Sequence, residues 1–179
     1  MAIIAADIEF RLSTVSGSAG NSTAQGDANA SYGKYMSTTA VSASLHGLFD
    51  VISGDENAAS GVDYRCIFVY NDHATLTYEG ATIWMSAETA SGADIAIAAD
   101  GIGSTPKGQA GAQAEEEADE DTAPTGETFS SPTSKGTGIV LGDIPAQECH
   151  AIWIRRTAAN TAALDADGFT LSVEGDTAA

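Results

Sequence analysis

The run Tyr64 to Tyr70, YRCIFVY, limits the fold more than any other stretch of the chain. At period two, Tyr64, Cys66, Phe68 and Tyr70 share one face while Ile67 and Val69 make the other apolar as well, so this strand has to be covered on both sides. Asn71-Asp72-His73 breaks the run with turn-forming residues. Thr75 to Tyr78 then resumes alternation, Glu79-Gly80 turns again, and Ala81 to Ser86 gives a third short strand. The reading that follows is a meander from Tyr64 to Met85 at the centre of an all-β domain.

Elsewhere the chain offers further strands joined by unusually long irregular segments. Asp7 to Ser13 alternates strictly, with Ile8, Phe10 and Leu12 on one face, and predicts a strand with one wet side. Ala93 to Ala99 places Ile95 and Ile97 together, Gly138 to Leu141 is short, and Phe169, Leu171 and Val173 alternate with polar residues at the end. Cys149 to Arg156 is apolar on both faces, with Ala151 and Trp153 opposite Ile152 and Ile154, and should lie beside the central run. Leu45, Leu48, Phe49 and Ile52 recur at helical spacing, which predicts one short helix ended by Ser53-Gly54-Asp55, with Glu56 to Gly61 a polar connection.

Residues 15–33 are Ser, Gly, Asn, Ala and Thr with almost no bulk, and read as an irregular arm. Residues 100–135 have no periodicity and carry the acidic run Glu115 to Asp121, so they read as a long loop excursion. A loop of that kind contributes no core side chains, and deleting Gln109 to Asp121 should leave the fold nearly intact. The expected architecture is a single domain over 1–179, an antiparallel β-sandwich of about eight strands, jelly-roll-like, with at most about 15% helix.

Charge narrows function further. Seven basic residues against 25 acidic ones give a formal charge of −18, which repels nucleic-acid phosphate. MAIIAADIEF has no secretory pattern, and no apolar run reaches membrane-helix length, so neither nucleic acid nor a membrane is an expected partner. Cys66 and Cys149 sit in apolar strand patterns and read as buried free thiols, in keeping with synthesis in a reducing cytoplasm.

Motifs for chemistry are weak. The Glu115 to Asp121 run lacks the spacing and glycine of a calcium loop and reads as solvated charge, while Asp165-Ala166-Asp167-Gly168 has no closing Glu and reads as a turn. His46, His73 and His150 have no ligand spacing, Gly101-Ile102-Gly103 does not continue into a dinucleotide fingerprint, and there is no nucleophile elbow. No catalytic residue, cofactor site or metal site is therefore assigned, and the chain is expected not to be an enzyme. Arg65, Arg155 and Arg156 stand out among so few basic residues: successive Arg155 and Arg156 face opposite sides, so one is expected at the strand's wet edge and the other paired with a carboxylate across an interface, with an ion pair within the chain at a strand end the plainer reading for either.

From Leu48 onward, LFDVISGDENAASGVDYRCIFVYND, LTYEGATIWM, EDTAPTGETFSSPTSKGTGIVLGDIPAQECHAIWIRR and FTLSVEGDT together resemble a family of small structural proteins of tailed bacteriophages. The resemblance lies in strands and turns, with no diagnostic site motif. It implies a virion component, first a capsid decoration or cement protein on the outer shell and next a tail or baseplate component, with the major capsid protein or other virion subunits as partners and a homo-oligomer as its form. The composition leaves a different class open, a carbohydrate-binding or adhesion module in which Trp84, Trp153 and several tyrosines form a sugar platform.

Overall fold

In a computed structural model of the chain, residues 2–17, 25–162, 164 and 166–177 are described. The protein is all-β, with 43% of it in strands and 9% helical, and its two antiparallel sheets pack as a sandwich. The larger sheet runs in the order β2 (Tyr35–Ala40), β1 (Ile8–Thr14), β3 (Val62–Asn71), β8 (Glu148–Thr157) and β5 (Asp94–Ala99). The two-residue β6 (Thr105–Pro106) pairs with β8 beyond the end of β5. The smaller sheet is β7 (Ile139–Ile144), β4 (Tyr78–Glu88) and β9 (Phe169–Thr177).

The two-sided strands occupy the centre, as their composition requires. β3 and β8 pair antiparallel from Val62↔Thr157 to Tyr70↔Cys149. Ile67 and Val69 of β3 join Ile152 and Ile154 of β8, Ile95 and Ile97 of β5 and Leu12 of β1 in the core between the sheets, where Ile83, Met85, Leu141 and Ile144 meet them. On the opposite face Cys66, Phe68, Tyr70, Cys149, Ala151 and Trp153 form a second buried cluster with Met36 and Ala114. Trp153 is completely buried. The large sheet is thus covered by β4, β7 and β9 on one side and by chain from the 100–135 excursion on the other.

That second cover overturns the expectation of a loop without core side chains. Gln113 and Ala114 are buried, and the Gln113 side chain accepts from the Met36 amide at 2.9 Å and donates to the Pro106 carbonyl at 2.9 Å. The backbone of Gln113 and Glu115 bonds to Lys34. The approach is so close at Gly33, where φ is +93°, that a Cβ there would lie 1.8 Å from the Glu115 carbonyl oxygen. Aperiodic sequence here reflects a layer held by side-chain and loop hydrogen bonds, which leave no strand or helix period to read. The total accessible surface, 8453 Å², is near the roughly 8,100 Å² expected of a folded monomer of this mass.

Three local expectations also change. β3 and β4 lie in different sheets, so residues 72–77 carry the chain across the sandwich and no meander exists. Glu79-Gly80 is an irregularity inside β4, with Gly80 at φ +59°, and no turn separates two strands there. The helix falls at α1 (Gly54–Ala59) and not at Leu45 to Ile52, because Ser53 caps it: its hydroxyl accepts from the Glu56 amide while the Glu56 carboxylate accepts from the Ser53 amide. Leu48 and Phe49 are buried as irregular chain, and Leu45 is exposed. Residues 18–24 of the expected arm lie outside the described residues. Its remainder holds a 3₁₀ turn at Ala28–Ala30 and the buried Ser31, whose hydroxyl donates to the Cys66 carbonyl. β2, on which Met36 sits, carries no clear alternation and is a strand that the pattern missed.

Candidate functional site

The 100–135 excursion carries the densest run of acids in the chain. Each acid of the Glu115 to Asp121 run that the sequence read as solvated has a particular place, apart from the exposed Asp121. The Glu115 carboxylate accepts from the Thr125 amide at 2.7 Å, Glu116 pairs with Lys34 at 2.8 Å, and Asp119 accepts from the Thr122 hydroxyl at 2.6 Å. Glu120 forms an ion pair with Arg65, whose guanidinium also donates to the Ala28 carbonyl and stacks over the rings of Tyr32 and Phe49. Glu117 is buried, and burial, reinforced by Glu115 and Asp119, raises its pKa.

Under this layer Asp100 is the organising acid. It is buried; one carboxylate oxygen accepts from the Trp153 indole N–H at 3.0 Å and from the Glu115 amide at 2.9 Å. Its other oxygen accepts from the Ile102 amide. Gly101-Ile102 is therefore a turn folded around Asp100. Glu127 accepts from the Gly101 amide, and burial raises its pKa.

A second polar group lies at the far end of β3. The Tyr70 hydroxyl donates to Asp72 at 2.8 Å, Lys107 Nζ donates to that hydroxyl at 3.0 Å, and the Arg11 guanidinium lies 4.4 Å from the ring centroid. Burial, with the Asp72 bond behind it, pushes the phenol pKa up, so this tyrosine holds its proton and is a poor acid. Burial alone would raise the Asp72 pKa, but hydrogen bonds from Tyr70 and Gln147 outweigh it and bring the carboxyl below its usual range. Gln147, at φ +61°, ties the group to β8 by donating to the Asp72 carbonyl.

The other residues singled out by sequence do not converge. His46 is exposed at φ +61°, His73 Nδ1 accepts from the amides of Thr75 and Leu76 in the loop after β3, and His150 is buried in β8. Among the described residues no group of three or more His, Cys, Asp and Glu side chains is placed to hold a metal ion. Both cysteines are free and buried, and burial pushes the Cys149 thiol up to about 12. Asp165 lies outside the described residues, while Asp167 accepts from the Ala93 amide at 2.6 Å. Arg65 and Arg156 both resolve as ion pairs within the chain: Arg156 donates twice to Asp63, at 2.8 and 2.5 Å, and once to the Asp50 carbonyl. Arg155 lies over Phe129, 5.3 Å from its centroid.

Clefts are equally sparing. A hollow of about 340 Å³ lined by Ala87, Glu88, Thr89, Gly168, Phe169 and Thr170 is open to solvent. Its polar groups are committed to structure, with Glu88 accepting from Ile95 and Thr89 exchanging bonds with Gly168. Asp100, Gln113 and Gln147 were missed by sequence reading. The signal nearest to them was a polar residue beside glycine or proline, which is common to every loop. No protein-family model matches the chain, and neither the curated proteins nor the solved structures contain a match to it.

Proposed function

We propose that the protein is a non-enzymatic structural component of a tailed-bacteriophage virion, and within that class a decoration protein that binds the outer shell and stabilises it. The observation that carries the reading is the acidic layer itself. The Glu115 to Asp121 run lies in a layer against a sheet buried on both faces; Glu116 and Glu120 are paired within the chain and Glu117 is buried, while Asp119 and Asp121 stay exposed, so this part of a chain of charge −18 remains acidic. Such a surface suits contact with protein on the exterior of a particle, because close packing against encapsidated nucleic acid would add like-charge repulsion. The resemblance of the strand and turn pattern from Leu48 onward points the same way.

A sugar platform loses its main support, since Trp153 is wholly buried and bonded to Asp100. Trp84 is half-buried on β4, and Tyr64 packs edge-on against Phe129.

Comparison of phage with and without the gene tests the proposal. Particles lacking the protein should assemble with normal geometry and release DNA at lower temperature, since bridging contacts stabilise a shell already formed. Unchanged heat resistance with defective tails would replace the decoration reading by a tail or baseplate role. Unchanged heat resistance and tails with poor adsorption would replace it by adhesion.

A further inference from the structure

The smaller sheet has an open edge on β9. This strand pairs with β4 alone, and among the described residues no backbone–backbone hydrogen bond from outside that pair reaches 169–177. Its inward side chains Phe169, Leu171 and Val173 pack on the core yet remain only half-buried. The outward side is acidic. Glu174 and Asp176 are exposed, and Asp176 stands directly opposite Glu79 of β4, a like-charge cross-strand pair that costs stability. Lys135, the cation nearest to them, is already taken by Glu174 at 2.6 Å. The far end of the strand is touched by Ile3, whose amide donates to the Thr177 hydroxyl, which leaves 169–176 open.

An unpaired edge of this length exposes a row of amides and carbonyls that a further strand satisfies. Side chains of an added strand alternate between the faces, one set meeting Leu171 and Val173 and the other meeting Glu174 and Asp176. We propose that the β9 edge docks an extended segment of another protein, with apolar residues at alternate positions and Lys or Arg between them. A second copy of this chain fits worse, because a β9 to β9 ribbon brings together two strands bearing Glu174 and Asp176 and no cation, on chains of −18 each. The inference is independent of the virion reading, as it depends on the edge and its charge alone.

The test uses the full chain, isotope-labelled, titrated with a capped peptide that alternates Lys and Val and with a control that alternates Glu and Val. The Lys peptide should shift and protect from exchange the amides of 169–176, and the Glu peptide should leave them unchanged. Replacing two exposed acids, Glu174→Lys with Asp176→Lys, should weaken Lys-peptide binding about tenfold while the circular dichroism spectrum stays as before. Failure of the Lys peptide to bind, equal binding of both peptides, or changes confined to other strands would overturn the proposal. So would concentration-dependent protection of 169–176 in the protein alone, which would assign the edge to a second copy.

Discussion

Replacing Gln113 by alanine is the sharpest test of whether the 100–135 excursion is part of the folded core. The side chain is buried and makes bonds to the Met36 amide, the Pro106 carbonyl and the Cys149 sulfur, the last at 3.3 Å. Truncation leaves the Met36 amide buried without an acceptor, whereas Pro106 is exposed and water can replace its partner. An orphaned buried amide costs about 1–3 kcal/mol, and the lost methylene contact adds about 0.8 kcal/mol, so Gln113→Ala should cost about 2–4 kcal/mol. Unfolding entropy near 2.1 cal/mol/K per residue converts that to a fall in Tm of about 5–11 °C for a chain of this length. Gln109→Ala is the control from the same loop: its side chain is half-buried and bonds to the neighbouring Gly111 and Ala112 carbonyls, which water can replace, so the change should stay within about 0.5 kcal/mol. Thermal melts followed by circular dichroism read both. Equal melting of the parent and the two variants would refute the placement of this loop in the core.

Other perturbations probe different parts. Arg156→Ala leaves Asp63 buried without its cation and should cost about 3–5 kcal/mol in urea unfolding, while the double change Arg156→Met with Asp63→Leu should recover most of it. Burial lowers the pKa of His150, against a smaller opposing pull from the Asp100 carboxylate and backbone. The unfolded chain therefore takes up the proton first. Stability should be level above the unfolded value of about 6.5 and fall as pH drops from there to the lowered folded value, by at most about 1.4 kcal/mol per pH unit. Glu117 and Glu127, raised by burial, act with the opposite sign at lower pH, so the readout is the difference between the parent and His150→Leu, in which this slope should vanish. Cys66 and Cys149, both raised by burial, should resist a thiol reagent in the native protein and react fully in denaturant; fast native labelling would contradict their placement.

Period-two patterns carried the fold where one side chain in two or every side chain meets apolar neighbours. The two-sided runs at β3 and β8 announce central strands because covering both faces requires apolar residues at successive positions, Cys66 to Tyr70 and Ala151 to Ile154, and the register from Tyr64↔Arg155 to Tyr70↔Cys149 places them side by side. The same pattern says nothing about which sheet a strand enters. β3 and β4 are close in sequence, and a loop that crosses the sandwich at 72–77 contains the same turn-forming residues as a hairpin would. At Leu45 to Ile52 the spacing was helical, yet Leu48 and Phe49 are buried without a helix, whereas the Ser53 and Glu56 capping box decided where the helix began. Local hydrogen bonds overruled periodicity there.

Charge was legible as a total and illegible as an arrangement. A run such as Glu115 to Asp121 looks like solvated repulsion because sequence shows its acids only beside one another, and their partners Lys34, Arg65 and the Thr125 amide come from other segments or from across a turn. Folding separates those acids by function. Some anchor the layer, Glu117 is buried, and Asp121 faces solvent. The same reasoning applies at the opposite face, where Glu79 and Asp176 are far apart in sequence and become neighbours only through the β4 and β9 register. Since the chain has seven bases for 25 acids, and Lys34, Arg65, Lys135 and Arg156 are engaged internally, the excess charge cannot be neutralised within the molecule. A cationic protein surface can lower that energy by contact, which is why the acidic layer and the acidic strand edge, rather than the hollow beside Phe169, are the places to look for partners.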